Sequence, residues 1–313
     1  MVLVFVMLVL ALVSSLLIQV QVGTRTSLRR EEALLREVLL RAAASDGIHD
    51  ALGILADDDP AIDHTNELWA TPRMSVRPSG IETRTRITDQ NRYFDLNNLA
   101  DEAAPFKERS PGDVLMDIMT HCGHFTPISQ VEALKSWVDA DSEGYAESSF
   151  YAQLDPPYTA ADRWLYSWRE LLWVRDFDRQ MFDRHRPRSV ADAMRAALID
   201  CIAVVPAPRT NPLAVNVNTA DMDVLMGVFG IGQDALVRSL VFMRNRRPMA
   251  SLGDLTLIAD PEGPLKGALP YLDVKSRFFE IESTAVQEQH TETVRALAYR
   301  GPEGIIDVIQ WVF

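Results

Sequence analysis

The residues best placed to do chemistry are three acids in one short stretch: Asp139, Asp141 and Glu147, between Trp137 and Tyr151. Asp139 and Asp141 are two apart, so an extended or turning backbone sends both carboxylates to one side. Gly144 permits a sharp return that brings Glu147 back toward them. Hard carboxylate oxygens suit Ca²⁺, which collects six to eight oxygens from side chains, carbonyls and water. The spacing is not that of an EF-hand, because the acids beyond the first two fall in the wrong register. A solvated acidic turn would carry the same residues without an ion, so both readings stand at this point.

Two further groups invite chemical readings. Asn218-Thr219-Ala220 followed by Phe229-Gly230-Ile231-Gly232 resembles a helix-hairpin-helix. Asn218 or Thr219 could cap the first helix, the glycines permit a tight turn, and free N–H groups beyond it could hold a phosphate. That pattern raises the alternative of a membrane-anchored DNA-binding protein. The local charge opposes it: from Asn216 to Asp260, Arg238, Arg244, Arg246 and Arg247 face Asp221, Asp223, Asp234, Asp254 and Asp260. A nucleic-acid site should be plainly basic. His121-Cys122-Gly123-His124 fits no zinc spacing and reads better as a helix end with Gly123 as its C-terminal cap. Gly-x-Ser-x-Gly, Walker A and His-Glu-x-x-His patterns do not occur. A triad assembled from distant residues would leave no such trace, which keeps a membrane-anchored enzyme as a third class. The aromatics Tyr158, Trp164, Tyr166, Trp168 and Trp173 form either a ligand groove or the core beneath a long loop.

These groups need elements to position them. The chain has 313 residues, 47% hydrophobic, with 31 Lys and Arg against 44 Asp and Glu, for a net charge of -13. Such acidity repels phosphate backbones, so nucleic acid is not an expected partner. Two cysteines, Cys122 and Cys201, are no disulfide framework, but they allow one bridge in an oxidising compartment. From Met1 to Ile18 only Ser14 and Ser15 interrupt an apolar run, and the first charge is Arg25. About 20 helical residues span a hydrocarbon core of roughly 30 Å. A cleaved signal peptide would have a basic n-region and a small-x-small site before Gly23, and neither is seen. The run therefore reads as a membrane helix.

The helical pattern continues as an amphipathic stretch from Ser27 to Leu55, with Gly47 as a candidate break and Asp57-Asp58-Asp59-Pro60 as its end. Ile81 to Ile87 alternates as a half-buried strand, with Tyr93–Leu96 as its candidate return partner. Helices are expected over 111–120, 130–138, 168–174, 191–203, 220–228 and 233–244. Strands return at 278–282, 294–299 and 305–313, with Arg300 to Gly304 as a turn.

Five segments in this order resemble the type II secretion system protein K family. They are Asn91–Leu99, Trp137–Asp141 with Ala146-Glu147, Asp155–Tyr158, Glu170-Leu171 and Val215–Ala220. The resemblance covers essentially the whole chain. It implies an α+β, pilin-like fold: a long N-terminal helix packed on an antiparallel sheet, with a large helical insertion containing the helix-hairpin-helix-like, SAM-like segment. The implied organisation is a transmembrane and assembly helix over 1–57, sheet over 60–99, helical insertion over 100–272 and sheet again over 273–313. Family members bind calcium in the helical domain, which favours Asp139, Asp141 and Glu147 as ligands, although Tyr145 and Asp162 stand where Gly and Asn are common. Pilin-like precursors carry a basic leader that a prepilin peptidase removes. With Met1 as the mature start, Phe5 falls where most pilins have Glu, a residue the K family lacks. A minor pseudopilin of this kind is a structural part rather than an enzyme. It is anchored in the bacterial inner membrane by a single pass, with its bulk in the periplasm. It caps the pseudopilus tip with I- and J-type minor pseudopilins, above the major pseudopilin.

The anchor has a direct test. The full chain should sediment with membranes, and a chain beginning near Ser27 should remain in the soluble fraction. A soluble full-length chain would contradict the membrane helix.

Overall fold

The N-terminal apolar run and the amphipathic stretch after it form one helix, α1 (Val2–Ala56), in the computed structural model, which describes residues 2–100, 108–122, 127–182, 197–206 and 213–312. At 1.5 Å per residue it is about 80 Å long. Its apolar first part has a mean hydropathy of 2.4 and none of it is buried. The first buried side chain is Leu40, and from there Ala43, Ala44, Ile48, Ala51 and Leu55 form a covered stripe at helical spacing. One helix thus has two surroundings: its apolar first part is uncovered, Arg36 then meets His290 of β8 at 2.6 Å, and from Leu40 the helix lies on the sheet.

That sheet has five strands. Those before the helical body are β1 (Arg73–Val76) and β2 (Glu82–Asp89). The body contributes only two-residue strands, β3 (Phe94–Asp95), β4 (Ile202–Ala203), β5 (Val215–Asn216) and β6 (Leu272–Asp273). The chain then returns as β7 (Phe278–Gln287), β8 (His290–Arg300) and β9 (Ile306–Val312). The order is β1-β2-β7-β8-β9, antiparallel throughout. Alternation puts Phe279, Ile281, Ser283 and Ala285 on the inner face of β7, and Val294, Ala296 and Ala298 on that of β8. The small residues there let α1 lie close.

Gly47 marks the tightest approach. It does not break the helix, which runs through it to Ala56. A Cβ at this position would collide with Ser283 Oγ and Thr85 Oγ1, two hydroxyls 3.1 Å apart. The glycine is there because the sheet is. Gly53, six residues on, has open space around its missing Cβ.

Tyr93–Leu96 is not the partner of β2. Phe94 and Asp95 instead pair in parallel with Ile202 and Ala203, and β2 lies between β1 and β7. The expected helix over 168–174 is a 3-10 turn, Trp168–Trp173. The expected helix over 191–203 is a 3-10 turn, Leu198–Asp200, followed by β4, with 191–196 outside the described residues. The helical body carries α2 (Pro111–His121), α3 (Pro127–Val138), α4 (Ser148–Tyr151), α5 (Met222–Phe229), α6 (Asp234–Arg246) and α7 (Pro264–Ala268). They share a core of their own that includes Leu115, Ile118, Leu134, Tyr151, Leu225 and Tyr271.

A buried polar cluster joins the body to the sheet. Arg300, at the end of β8, donates to Asp63 Oδ1, to Asp58 Oδ2 at 3.0 Å and to the Ser276 carbonyl at 3.0 Å. Asp63 Oδ2 accepts from Ser276 N at 2.7 Å, and Asn216 Nδ2 donates to the Asp63 carbonyl at 3.0 Å. The Ser276 hydroxyl, at 2.6 Å, and the Thr219 hydroxyl both donate to Asp89 Oδ2. Removing one partner of such a network strands the others in a dry site. Burial raises Asp89 from its ordinary 3.8 to about 6, with its hydrogen bonds working in the opposite direction.

Two outcomes follow. Gly47→Ala should lower stability by roughly 1–3 kcal/mol through overpacking, and Gly53→Ala should raise it by up to about 1 kcal/mol. Chemical denaturation of both variants measures this, and equal effects would contradict the close approach. Asp89, with its pKa raised on folding, favours the native state most at low pH. Its contribution is fully present below 3.8 and is lost as pH rises through about 6. Asp89→Asn should therefore reduce the stability gained by the wild type between pH 7 and pH 5. Parallel pH–stability curves for the two proteins would contradict the burial of a titrating Asp89.

Candidate acidic loop and helical hairpin

The acidic loop begins where α3 ends. Trp137 and Val138 anchor that end in the core, and Asp139 N still donates to Lys135 O at 3.0 Å. Trp137 packs edge-on to Tyr151 at 5.1 Å between ring centroids, and Tyr151 stacks on Tyr158 at 5.1 Å. These rings are the floor of the loop. Of the aromatic set, Tyr158 and Trp168 are partly buried against the core, Trp164 is half-buried, and Tyr166 and Trp173 are exposed.

On this floor the chain turns back. Asp141 Oδ1 accepts from Glu143 N at 2.7 Å, an Asx-type turn. At Gly144 a Cβ would strike Ser136 Oγ and Glu147 Oε1, so only glycine fits. Glu147 then opens α4 in an extended conformation without using its side chain as a cap. That leaves the carboxylate free to face the loop interior. Asp139, Asp141 and Glu147 each bring an oxygen within 4.8 Å of the others, in positions that are half-buried, exposed and buried respectively. Glu147 Oε1 is buried and accepts no hydrogen bond. The flanks are pinned. Tyr145 donates to Asp176 Oδ2 at 3.1 Å, and the Arg175 guanidinium lies 4.3 Å from the Tyr145 and Phe150 ring centroids. Asp162 takes a positive φ of 47° and donates its N–H to Trp137 O at 3.0 Å.

A second group of acids, Asp58, Asp63 and Glu67, is equally close-set but differently occupied. Arg300 neutralises Asp58 and Asp63, and Glu67 Oε2 accepts from Trp69 Nε1 at 2.6 Å and His64 N at 2.9 Å. Those acids belong to the polar junction. Asp63, Asp89, Ser276 and Arg300 went unread in the sequence, because the partners that give each its role lie far away along the chain.

In the glycine hairpin, α5 and α6 join through Gly230 and Gly232, both at positive φ. Asp221, not Asn218 or Thr219, is the residue preceding α5. Asn218 instead pairs with the Met249 backbone through both its amide atoms, and Thr219 bonds Asp89. The turn itself is backed by Arg109, which donates to Val228 O, to Gly227 O at 3.0 Å and to Asp117. His121 ends α2 with Cys122 as the C-terminal cap; the proposed Gly123 cap and His124 lie outside the described residues.

A helix whose start is long and apolar enough to cross a membrane, and whose later part packs on an antiparallel sheet, is a pilin-like arrangement. Comparison with known proteins narrows this. Residues 92–191 match the family model of the type II secretion system protein K. The type II secretion system protein K of Aeromonas hydrophila is 24% identical over 271 residues, spanning 79% of this chain and 75% of that protein. The fold matches a chain in the crystal structure of the GspK-GspI-GspJ complex from the enterotoxigenic Escherichia coli type 2 secretion system. The TM-score is 0.69 at 20% identity, covering 91% of this chain and 98% of that one. These likenesses all lead to the type II secretion system protein K family.

Proposed function

We propose that this chain is a minor pseudopilin, a structural rather than catalytic component at the tip of the periplasmic pseudopilus of a type II secretion system. The observation that carries this reading is the division of α1: its described side chains from 5 to 35 are exposed, while 40–55 are held by the sheet. The uncovered part contains more than the apolar membrane segment. Leu28, Leu34, Leu35, Val38 and Leu39 lie beyond it and are all exposed, which suits packing against the long helices of neighbouring subunits. The bulk of the helical body beside the sheet supports a tip position, because it would obstruct another subunit stacking above. The GspK-GspI-GspJ complex that the fold matches supports partners of the I and J types, and the major pseudopilin would lie below them. Detergent-solubilised full chain should co-purify with I- and J-type minor pseudopilins of the same system in a discrete complex. Leu35→Glu together with Val38→Glu should weaken that complex at least tenfold without lowering the melting temperature. A full-strength complex with both glutamates present would contradict the role given to this stripe.

The acidic loop is the proposed cation site, with Asp139, Asp141 and Glu147 holding one Ca²⁺. Three carboxylates this close repel one another, and a buried Glu147 oxygen without a donor calls for a positive partner. Backbone carbonyls and water would complete the six to eight oxygens. The ion would fasten the turn over the Trp137–Tyr151 floor. Binding to the folded state alone adds about 2.7 kcal/mol at a hundredfold excess over Kd. The chain should melt higher in millimolar Ca²⁺ than in chelator. Asp141→Ala should remove most of that difference, and Asp57→Ala, in the other acidic run, should leave it. Equal melting temperatures in calcium and chelator would return the loop to an ordinary acidic turn.

A further inference from the structure

We infer that Cys122 and Cys201 form a disulfide that fastens the end of α2 to the start of β4 and closes a ring of chain around the acidic loop. The two Sγ atoms lie 3.3 Å apart, inside the roughly 3.5–4.0 Å of ordinary carbon contact. They come from positions 79 residues apart, on separate elements whose backbones are fixed. Cys122 caps α2, its N–H bonded to Ile118 O at 2.9 Å. Cys201 closes the 3-10 turn before β4, donating to Leu198 O at 2.9 Å, and its own carbonyl accepts from Phe94 N at 3.0 Å. The encounter of the thiols is therefore built into the fold and does not depend on a mobile side chain. Closing 3.3 Å to a bond of about 2.05 Å needs only small side-chain rotations. Among the described residues the two sulfurs belong to no group of three metal-ligating side chains.

The chemistry has a direction. Cys201 is fully buried, and its thiol is pushed well above the usual range by its hydrogen bond with Cys122 and by burial, with Asp223 and Asp200 adding to the effect. Cys122 is half-exposed and is the sulfur an oxidant can reach. A thiol–disulfide oxidant is attacked by the Cys122 thiolate, forming a mixed disulfide and releasing one oxidant thiol. Cys201 then gives up its proton and attacks Cys122 Sγ, and the second oxidant thiol leaves. Two protein thiols thus lose two electrons and two protons, and the oxidant disulfide becomes two thiols. The ring so closed, from 122 to 201, contains Asp139, Asp141 and Glu147 and most of the segment matched to the protein K family. Constraining it reduces the freedom of the unfolded chain, which stabilises the body that carries the loop.

In cells the bridge requires the periplasmic placement proposed above, and the test separates the two. Full-length chain is taken from membranes with iodoacetamide present at lysis, then digested without reductant. The expected product is one linked peptide pair, two hydrogens lighter than the sum of the Cys122 and Cys201 peptides. A second sample, reduced and then exposed to oxidised glutathione, should regain the same pair. Reductant should lower the melting midpoint of the wild type by several degrees and leave that of a Cys122→Ala, Cys201→Ala variant unchanged. Pairing in glutathione with only alkylated thiols from cells would support the geometry and count against the periplasmic reading. Two free thiols in both samples would overturn the inference, whether or not the alanine variant folds.

Discussion

The close packing of residues 40–55 of α1 on the sheet is the constraint on which the rest of the molecule depends. A helix about 80 Å long whose first part is apolar has no reason to be single in water, and that part finds no cover in this chain. What keeps it attached to a folded body is a narrow stripe in which helix and sheet both give up side-chain volume. Ala43, Ala44, Gly47 and Ala51 face Thr85, Ser283, Ala285, Ala296 and Ala298, with Leu40, Ile48 and Leu55 filling between them. Close contact over many small residues collects dispersion without needing large side chains. It also fixes the rotation of the helix, and so determines which of its faces stays open to other subunits.

The second dependency is the polar junction. The sheet and the helical body have separate apolar cores, and between them lie Asp63, Asp89, Asn216, Thr219, Ser276 and Arg300, all buried. Apolar surfaces alone would tolerate sliding. A network in which each group has a specified partner tolerates one arrangement, because any slip leaves buried charge exposed to a dry interior. The orientation of the body is thereby tied to α1 through the sheet.

Much of this was legible in the sequence where the signal was local. The long helix could be read because only Ser14 and Ser15 interrupt its apolar run before Gln19. The strands over 278–282, 294–299 and 305–313 could be read because β-branched and aromatic residues alternate around a clear turn. The acids at 139, 141 and 147 fall together because a short turn with Gly144 decides their geometry. Misreadings arose where the cause was distant. Gly47 looked like a break because its reason is Ser283 on another strand. Tyr93–Leu96 looked like a hairpin return because its true partner, Ile202, is more than a hundred residues away. β1 was not seen at all: four exposed residues on a sheet edge leave no periodicity to find. Asn218 looked like a helix cap because the Met249 backbone it holds is remote in sequence.

The measurement that bears most directly on the account is secretion itself. In the bacterium that encodes this chain, its deletion should leave the proteins exported by the type II system trapped in the periplasm, and re-expression of the full chain should release them. Undiminished secretion in the deletion strain, with the other pseudopilins present at normal levels, would contradict its place in that machine.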